Sequence, residues 1–206
     1  MEIYLIRHTT PDVVVGTCYG QSDLDVTESF LEEAAAIRNH LPQNISAVYS
    51  SPLKRCRLLA QELFPQYNLQ LDDRLKEIDC GDWEMHIWNN IDASILKPWM
   101  EDFVNNRFPG GENYVDLFTR TIAFFNELAQ HPQPQAIVSH GGVLRSILCH
   151  LEGTHLKDSF SRYGLRYGCV VKLTKDGGTW QHQVLHNPPA PQEQHKPTTV
   201  KIIVDS

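Results

Sequence analysis

Two short apolar runs, "EIYLIRH" at residues 2–8 and "QAIVSH" at residues 135–140, constrain the fold most. Each is rich in β-formers and too short for a helix, the pattern of a strand buried on both faces. Such strands belong to parallel sheets sandwiched between helices, and helical segments do stand between them. "ESFLEEAAAIRNHL" offers Leu31, Ala34, Ala35 and Ile37 for an apolar face, with Ser29 and Glu32 in capping-box spacing. "SAVYSS" reads as a further strand feeding the helix "LKRCRLLAQELF", and "YVDLFTRTIAFFNELAQH" and "VLRSILCHLE" are helical as well. The expected fold class is α/β: a three-layer α/β/α sandwich around a mostly parallel sheet. "GCVVKLT" and "TWQHQVLH", joined across Lys175-Asp176-Gly177-Gly178, predict a hairpin that adds an antiparallel edge, on whose second strand His182 and His186, four apart, would share a face.

With 206 residues, one domain over residues 1–186 is expected, carrying a cap-like insertion at about 85–115 that is rich in Trp, Asn and Pro. Residues 187–206 read as a proline-rich linker, "NPPAPQEQHKP", and a tail, "TTVKIIVDS", able to pair as a strand with a sheet edge or with a second copy in a homodimer.

Eighteen Lys and Arg against 25 acids leave a net charge of −7, which argues against a nucleic-acid surface; an anionic substrate needs a local cationic pocket. There is no membrane-length apolar run and no signal-peptide pattern at the amino terminus, so the cytoplasm is the default expectation. The five cysteines form no C-x-x-C pair and read as small buried hydrophobes.

The chemistry gathers at the strand ends, where α/β sheets bind ligands. If the strands ending at His8 and His140 are neighbours, both imidazoles reach one rim. Arg7 comes from the first strand, and Arg55 from the first turn of the helix after "AVYSS". Two guanidinium forks, two imidazoles and the N–H groups of helix starts suit a phosphoryl group. A lone histidine at a strand end is more often structural; the pair changes that reading.

Five blocks in order, "LIRHTTP", "VYSSPLKRC", "LKEIDCGDWE", "FPGGEN" and "IVSHGGVLR", resemble the histidine phosphatase superfamily, also called phosphoglycerate mutase-like, over roughly residues 1–150. The resemblance implies a catalytic set of His8, Glu77 and His140. His8 is the implied nucleophile, carrying the phosphoryl group as phosphohistidine, and neighbouring arginines disfavour the imidazolium that could not attack. Arg7, Arg55 and His140 are implied phosphate contacts, and Thr9, Tyr19, Gln21 and Gly141 are expected to border the substrate. Glu77 matches the general acid, its proton favoured by burial or by the incoming phosphate charge. Asp79, Asp82 and above all Glu84 are rivals for that role, while Glu112 either orients the site or caps the following helix, the cap being slightly the better reading. The implied chemistry needs no metal and no cofactor, only a small phosphomonoester.

"DLDVT" at residues 23–27 fits the D-x-D-x-T pattern of aspartyl phosphatases, but it follows a turn rather than a strand and reads as a helix lead-in. No cysteine is followed six residues later by arginine, so a cysteine phosphatase is excluded. A mutase is disfavoured because Thr9, Pro11 and Val14 stand where mutases resemble glycine, serine and asparagine. "RHTTP", "GTCYGQSDLDVT" and "PGGEN" look most like the α-ribazole phosphatase branch, although Phe30, Leu58-Leu59 and "WEMHIW" depart from it. Broad-specificity phosphatases and a non-catalytic phosphate-binding protein of the same fold are the alternatives.

Overall fold

The structure, a computed structural model, describes residues 1–189; the tail proposed as a strand lies outside them. In chain order the elements are β1 (Glu2–Arg7), α1 (Phe30–Arg38), β2 (Ala47–Ser50), α2 (Lys54–Leu63), β3 (Gln70–Leu71), α3 (Ala93–Glu101), α4 (Tyr114–Leu128), β4 (Gln135–Ser139), α5 (Gly141–Glu152), α6 (Ser159–Arg162), β5 (Val170–Asp176) and β6 (Thr179–His186). Among the described residues the strands form one sheet in the order β3-β2-β4-β1-β5-β6. The β1–β4, β2–β4 and β2–β3 pairs are parallel; β5 and β6 form the antiparallel edge.

Alternation along β1 builds the three layers. Ile3 and Leu5 pack with Ile137 against Leu117 and Phe125 of α4 and Leu144 and Ile147 of α5. Tyr4 and Ile6 pack with Val138 on the opposite face, against Ile37 of α1 and Leu59 and Leu63 of α2. Full burial of each aliphatic side chain contributes about 1.5–3 kcal/mol, so both faces are needed to hold the central strands. The hairpin closes on Gly177 and Gly178, with φ of 54° and 88°, the two left-handed residues that a type I′ turn demands. No helix of the described residues is long and apolar enough to cross a membrane.

Local expectations change in three places. The Ser29–Glu32 capping box does not form. Ser29 Oγ donates to Glu33 Oε1 (2.6 Å), and Glu33 Oε2 receives the Thr10 N–H (2.9 Å), so the start of α1 ties down the loop after β1 instead. Leu31, given to the apolar face, is 65% exposed. His182 and His186 do not share a face: a register shift at Val170/Val171 leaves His182 paired with Glu152 of α5 and His186 stacked on His40 beyond α1.

The segment from about 85 to 115 carries the short helix α3 and has its own aromatic cluster. Trp83, Trp88 and Phe108 are buried there with Cys18 and Cys80, and Trp99 packs 4.6 Å from Phe108. "DLDVT" is a loop whose Asp23 accepts the first N–H of α2 from Lys54 (2.5 Å) while Asp25 pairs with the Lys54 ammonium; the lead-in therefore serves α2.

Candidate active site

β1 and β4 pair in parallel with Arg7 opposite Ser139, so the next residue of each strand, His8 and His140, leaves the sheet at the same rim. The His8 N–H continues the ladder to the Ser139 carbonyl (3.0 Å), and the two rings meet edge-on with centroids 5.1 Å apart. His8 Nδ1 lies 2.7 Å from the Thr9 carbonyl. A carbonyl only accepts, so Nδ1 carries a proton, and in the neutral ring it is Nε2 that keeps the lone pair. His140 is fully buried and shares a 2.8 Å hydrogen bond with Ser51 Oγ at the end of β2. Burial first, then the charge of Arg55, holds His140 well below the usual histidine range, so it is neutral.

Two guanidiniums line the rim. Arg7 donates from Nη1 to the Leu165 carbonyl (2.7 Å) and lies 4.1 Å from the centroid of the Tyr167 ring. Arg55, in the first turn of α2, is completely buried. It donates to the Ser22 carbonyl from Nη1 (2.8 Å) and to the Gly20 carbonyl from Nη2 (2.6 Å), while its Nε has no partner in the protein. The Thr9 hydroxyl is likewise buried without a partner. A buried cation whose hydrogen bonds go to neutral carbonyls is costly, and an anion arriving beside it recovers that cost.

Glycines at the start of α5 make room for these groups. A Cβ on Gly141 would stand 2.9 Å from Arg145 Nη1 and 3.3 Å from Arg7 Nε and Cζ. The Gly142 N–H donates to Glu77 Oε2 (3.1 Å), and Glu77 Oε1 accepts the Ile78 N–H (3.0 Å). The amide of Gln21 reaches the Glu77 carbonyl (3.2 Å). Tyr19 lies over Arg55 at 5.4 Å and shares a 2.5 Å hydrogen bond with the Tyr167 hydroxyl; burial, then Tyr167, pushes its own hydroxyl well above the usual tyrosine value. The expected residues Arg7, His8, Thr9, Tyr19, Gln21, Arg55, Glu77, His140 and Gly141 therefore stand around one rim.

The rival carboxylates have other duties. Glu84 accepts the N–H groups of Gly20, Gln21, Ser22 and Cys80 and the Ser22 hydroxyl, stapling the loop that carries Tyr19 and Gln21. Asp79 accepts the Gly81 N–H within its own turn, and Asp82 lies against Gly110. Glu112 is not the cap of α4: Asn113 and Asp116 form that capping box, and Glu112 pairs with Arg120.

Sequence reasoning passed over Ser51, Tyr167, Arg120 and Arg145. Ser51 and Arg145 sit inside quoted motifs and were within reach. Tyr167 lies in a loop before β5, where only the folded chain carries it to His8, 5.3 Å between ring centroids. Burial pushes the Cys56 thiol, 3.4 Å from His140 Nε2, up to about 12, so it is an inert neighbour.

Residues 3–188 match the sequence profile of the histidine phosphatase superfamily (branch 1). Phosphoserine phosphatase 1 of Hydrogenobacter thermophilus is 29% identical over 178 residues, 82% of each chain. The adenosylcobalamin/alpha-ribazole phosphatase of Escherichia coli is 28% identical over 162 residues, 74% of this chain and 80% of the relative. The crystal structure of the alpha-ribazole phosphatase from Shigella flexneri superposes with a TM-score of 0.82 at 25% identity, covering 89% of this chain and 95% of that one.

Proposed function

Because the chain belongs to the histidine phosphatase superfamily and is a phosphomonoester hydrolase, we propose that it works through a covalent phosphohistidine on His8, with Glu77 as proton donor. His8 Nε2 attacks phosphorus; the N–P bond forms as the bond to the leaving oxygen breaks, and Glu77 gives that oxygen its proton. Water then attacks the phosphohistidine, the Glu77 carboxylate takes its proton, and inorganic phosphate departs. Arg7, Arg55 and neutral His140 meet the charge spread over the phosphoryl oxygens, so no step calls for a metal.

The observation that carries this reading is Arg55: a fully buried cation, hydrogen-bonded to two neutral carbonyls, with its Nε donor left over beside two strand-end imidazoles. For the leaving group we favour α-ribazole. The loop motifs support it, and the Tyr167 ring beside His8, its hydroxyl hydrogen-bonded to that of Tyr19, suits a ring-bearing substrate. Phosphoserine is the second reading, favoured by the likeness to phosphoserine phosphatase 1.

The test is phosphate release from α-ribazole 5′-phosphate, phosphoserine, 3-phosphoglycerate and p-nitrophenyl phosphate in excess EDTA, with His8→Ala as control. Preference for α-ribazole 5′-phosphate, lost in the variant, is the expected result. Preference for phosphoserine would replace the substrate and keep the chemistry. Turnover retained by His8→Ala would overturn the chemistry itself.

A further inference from the structure

Glu77 stands on a segment with little secondary structure of its own. Between β3 and the cap, residues 72–80 contain only a single 3₁₀ turn, Asp73–Leu75, so carbonyls there have no strand to receive them. Such backbone groups must find partners elsewhere or remain in water. Here one side chain from another element takes three of them.

Arg120 of α4 spends all five of its guanidinium N–H donors on this segment and on one carboxylate. Nη1 donates to the carbonyls of Arg74 (2.8 Å) and Lys76 (2.7 Å), and Nη2 donates to the carbonyl of Glu77 itself (2.8 Å). The remaining Nη2 proton and Nε form a bidentate pair with Glu112, both at 2.8 Å. The Glu112 Oε2 atom also accepts the Asp79 N–H (3.0 Å), so the pair grips the chain on both sides of Glu77. Both side chains are about four-fifths buried. Lysine offers no such fork, because its donors radiate from one atom.

We propose that Arg120, locked to Glu112, is a positioning residue for the reaction: it fixes the backbone at Glu77 so that the carboxyl meets the leaving oxygen. The proposal rests on Glu77 being the proton donor. The Gly142 N–H of α5 and the Ile78 N–H aim the carboxyl, while Arg120 and Glu112 fix the backbone it hangs from. A displacement of about 1 Å at a catalytic group costs on the order of 100-fold in rate, which is the scale this grip controls.

The test compares Arg120→Lys, Glu112→Gln, Glu77→Gln and the double variant Glu77→Gln/Arg120→Lys on two substrates, an alkyl phosphate and p-nitrophenyl phosphate. Only the alkyl leaving group needs a proton. Arg120→Lys and Glu112→Gln are conservative, and a cooperative thermal melt checks that each is folded. Expected for both is a 10- to 100-fold fall in kcat on the alkyl phosphate, with p-nitrophenyl phosphate changed by roughly threefold or less and KM little moved. The double variant should be no slower on the alkyl phosphate than Glu77→Gln alone, because both changes act through one group. Equal losses on both substrates in Arg120→Lys, with Glu77→Gln still selective, would reduce Arg120 to a general structural support and overturn the proposal. Equal losses in Glu77→Gln itself would instead remove the donor assignment, and the proposal with it.

Discussion

A single methyl group on α5 should separate the chemistry of Glu77 from the rest of the site. In Gly142→Ala the new Cβ would lie 2.3 Å from Glu77 Oε1 and 2.8 Å from Leu117 Cδ2, where ordinary contact begins at 3.4 Å. The carboxyl, the movable end of a flexible side chain, must retreat by about 1 Å, and a misplacement of that size costs on the order of 100-fold, or ~2.7 kcal/mol of barrier. Stability should change less. Overpacking against buried Leu117 costs about 1–3 kcal/mol, and replacing glycine within a helix returns up to ~1 kcal/mol. The assay is steady-state kinetics on an alkyl phosphate and on p-nitrophenyl phosphate, with Gly164→Ala as control because its Cβ meets nothing within 4 Å. The alkyl substrate should lose its turnover while the aryl one keeps most of it. Alkyl turnover within a few-fold of wild type, in a folded variant, would refute the placement of the donor at Glu77.

Glu84→Gln should lower stability by about 2–3 kcal/mol in urea melts, since one carboxylate serves four backbone N–H groups, yet leave the alkyl-to-aryl rate ratio unchanged. A collapsed ratio would return Glu84 to the acid role. His140 titrates below its unfolded value of 6.5, so the unfolded chain takes up the proton first as pH falls. Its contribution is therefore complete above pH 6.5 and lost below it, at no more than about 1.4 kcal/mol per pH unit. His140→Gln should flatten the loss of stability between pH 7 and about pH 5 in urea melts, and an unchanged slope would contradict the neutral, buried imidazole. Met85 holds φ +64°, a conformation that β-branched residues resist, so Met85→Val should melt below Met85→Gly by at least ~1 kcal/mol; the reverse order would contradict that backbone.

The parts of this molecule legible in sequence were those governed by local period and by chain order. The apolar runs ending at His8 and His140 read as buried strands because both faces are covered, and the double glycine at 177–178 announced its turn because only that residue type accepts the required φ cheaply. Harder to read were features decided by which distant groups meet. Ser29 and Glu32 have capping-box spacing, but Glu33 competes for the Ser29 hydroxyl while also receiving Thr10, and tertiary demand wins. Glu84 could not be distinguished from Glu77 by type, since both are glutamates on one loop; four N–H groups converge on the first, and an α5 N–H reaches the second. Glu112 was misread as a cap because its partner, Arg120, lies two helical turns away, while Asn113 and Asp116 satisfy the helix start. The bulge that separates His182 from His186 has no marker such as glycine within β6.

The chemistry proposed here stands on the passage of the phosphoryl group through His8. Mixing enzyme with substrate, quenching within milliseconds into alkaline denaturant, where phosphohistidine survives, and mapping the digest by mass spectrometry tests it directly. One phosphoryl group is expected on the peptide carrying His8, formed before product phosphate accumulates and absent in His8→Ala. A phosphoryl group on another residue, or one that forms equally well in His8→Ala, would contradict it.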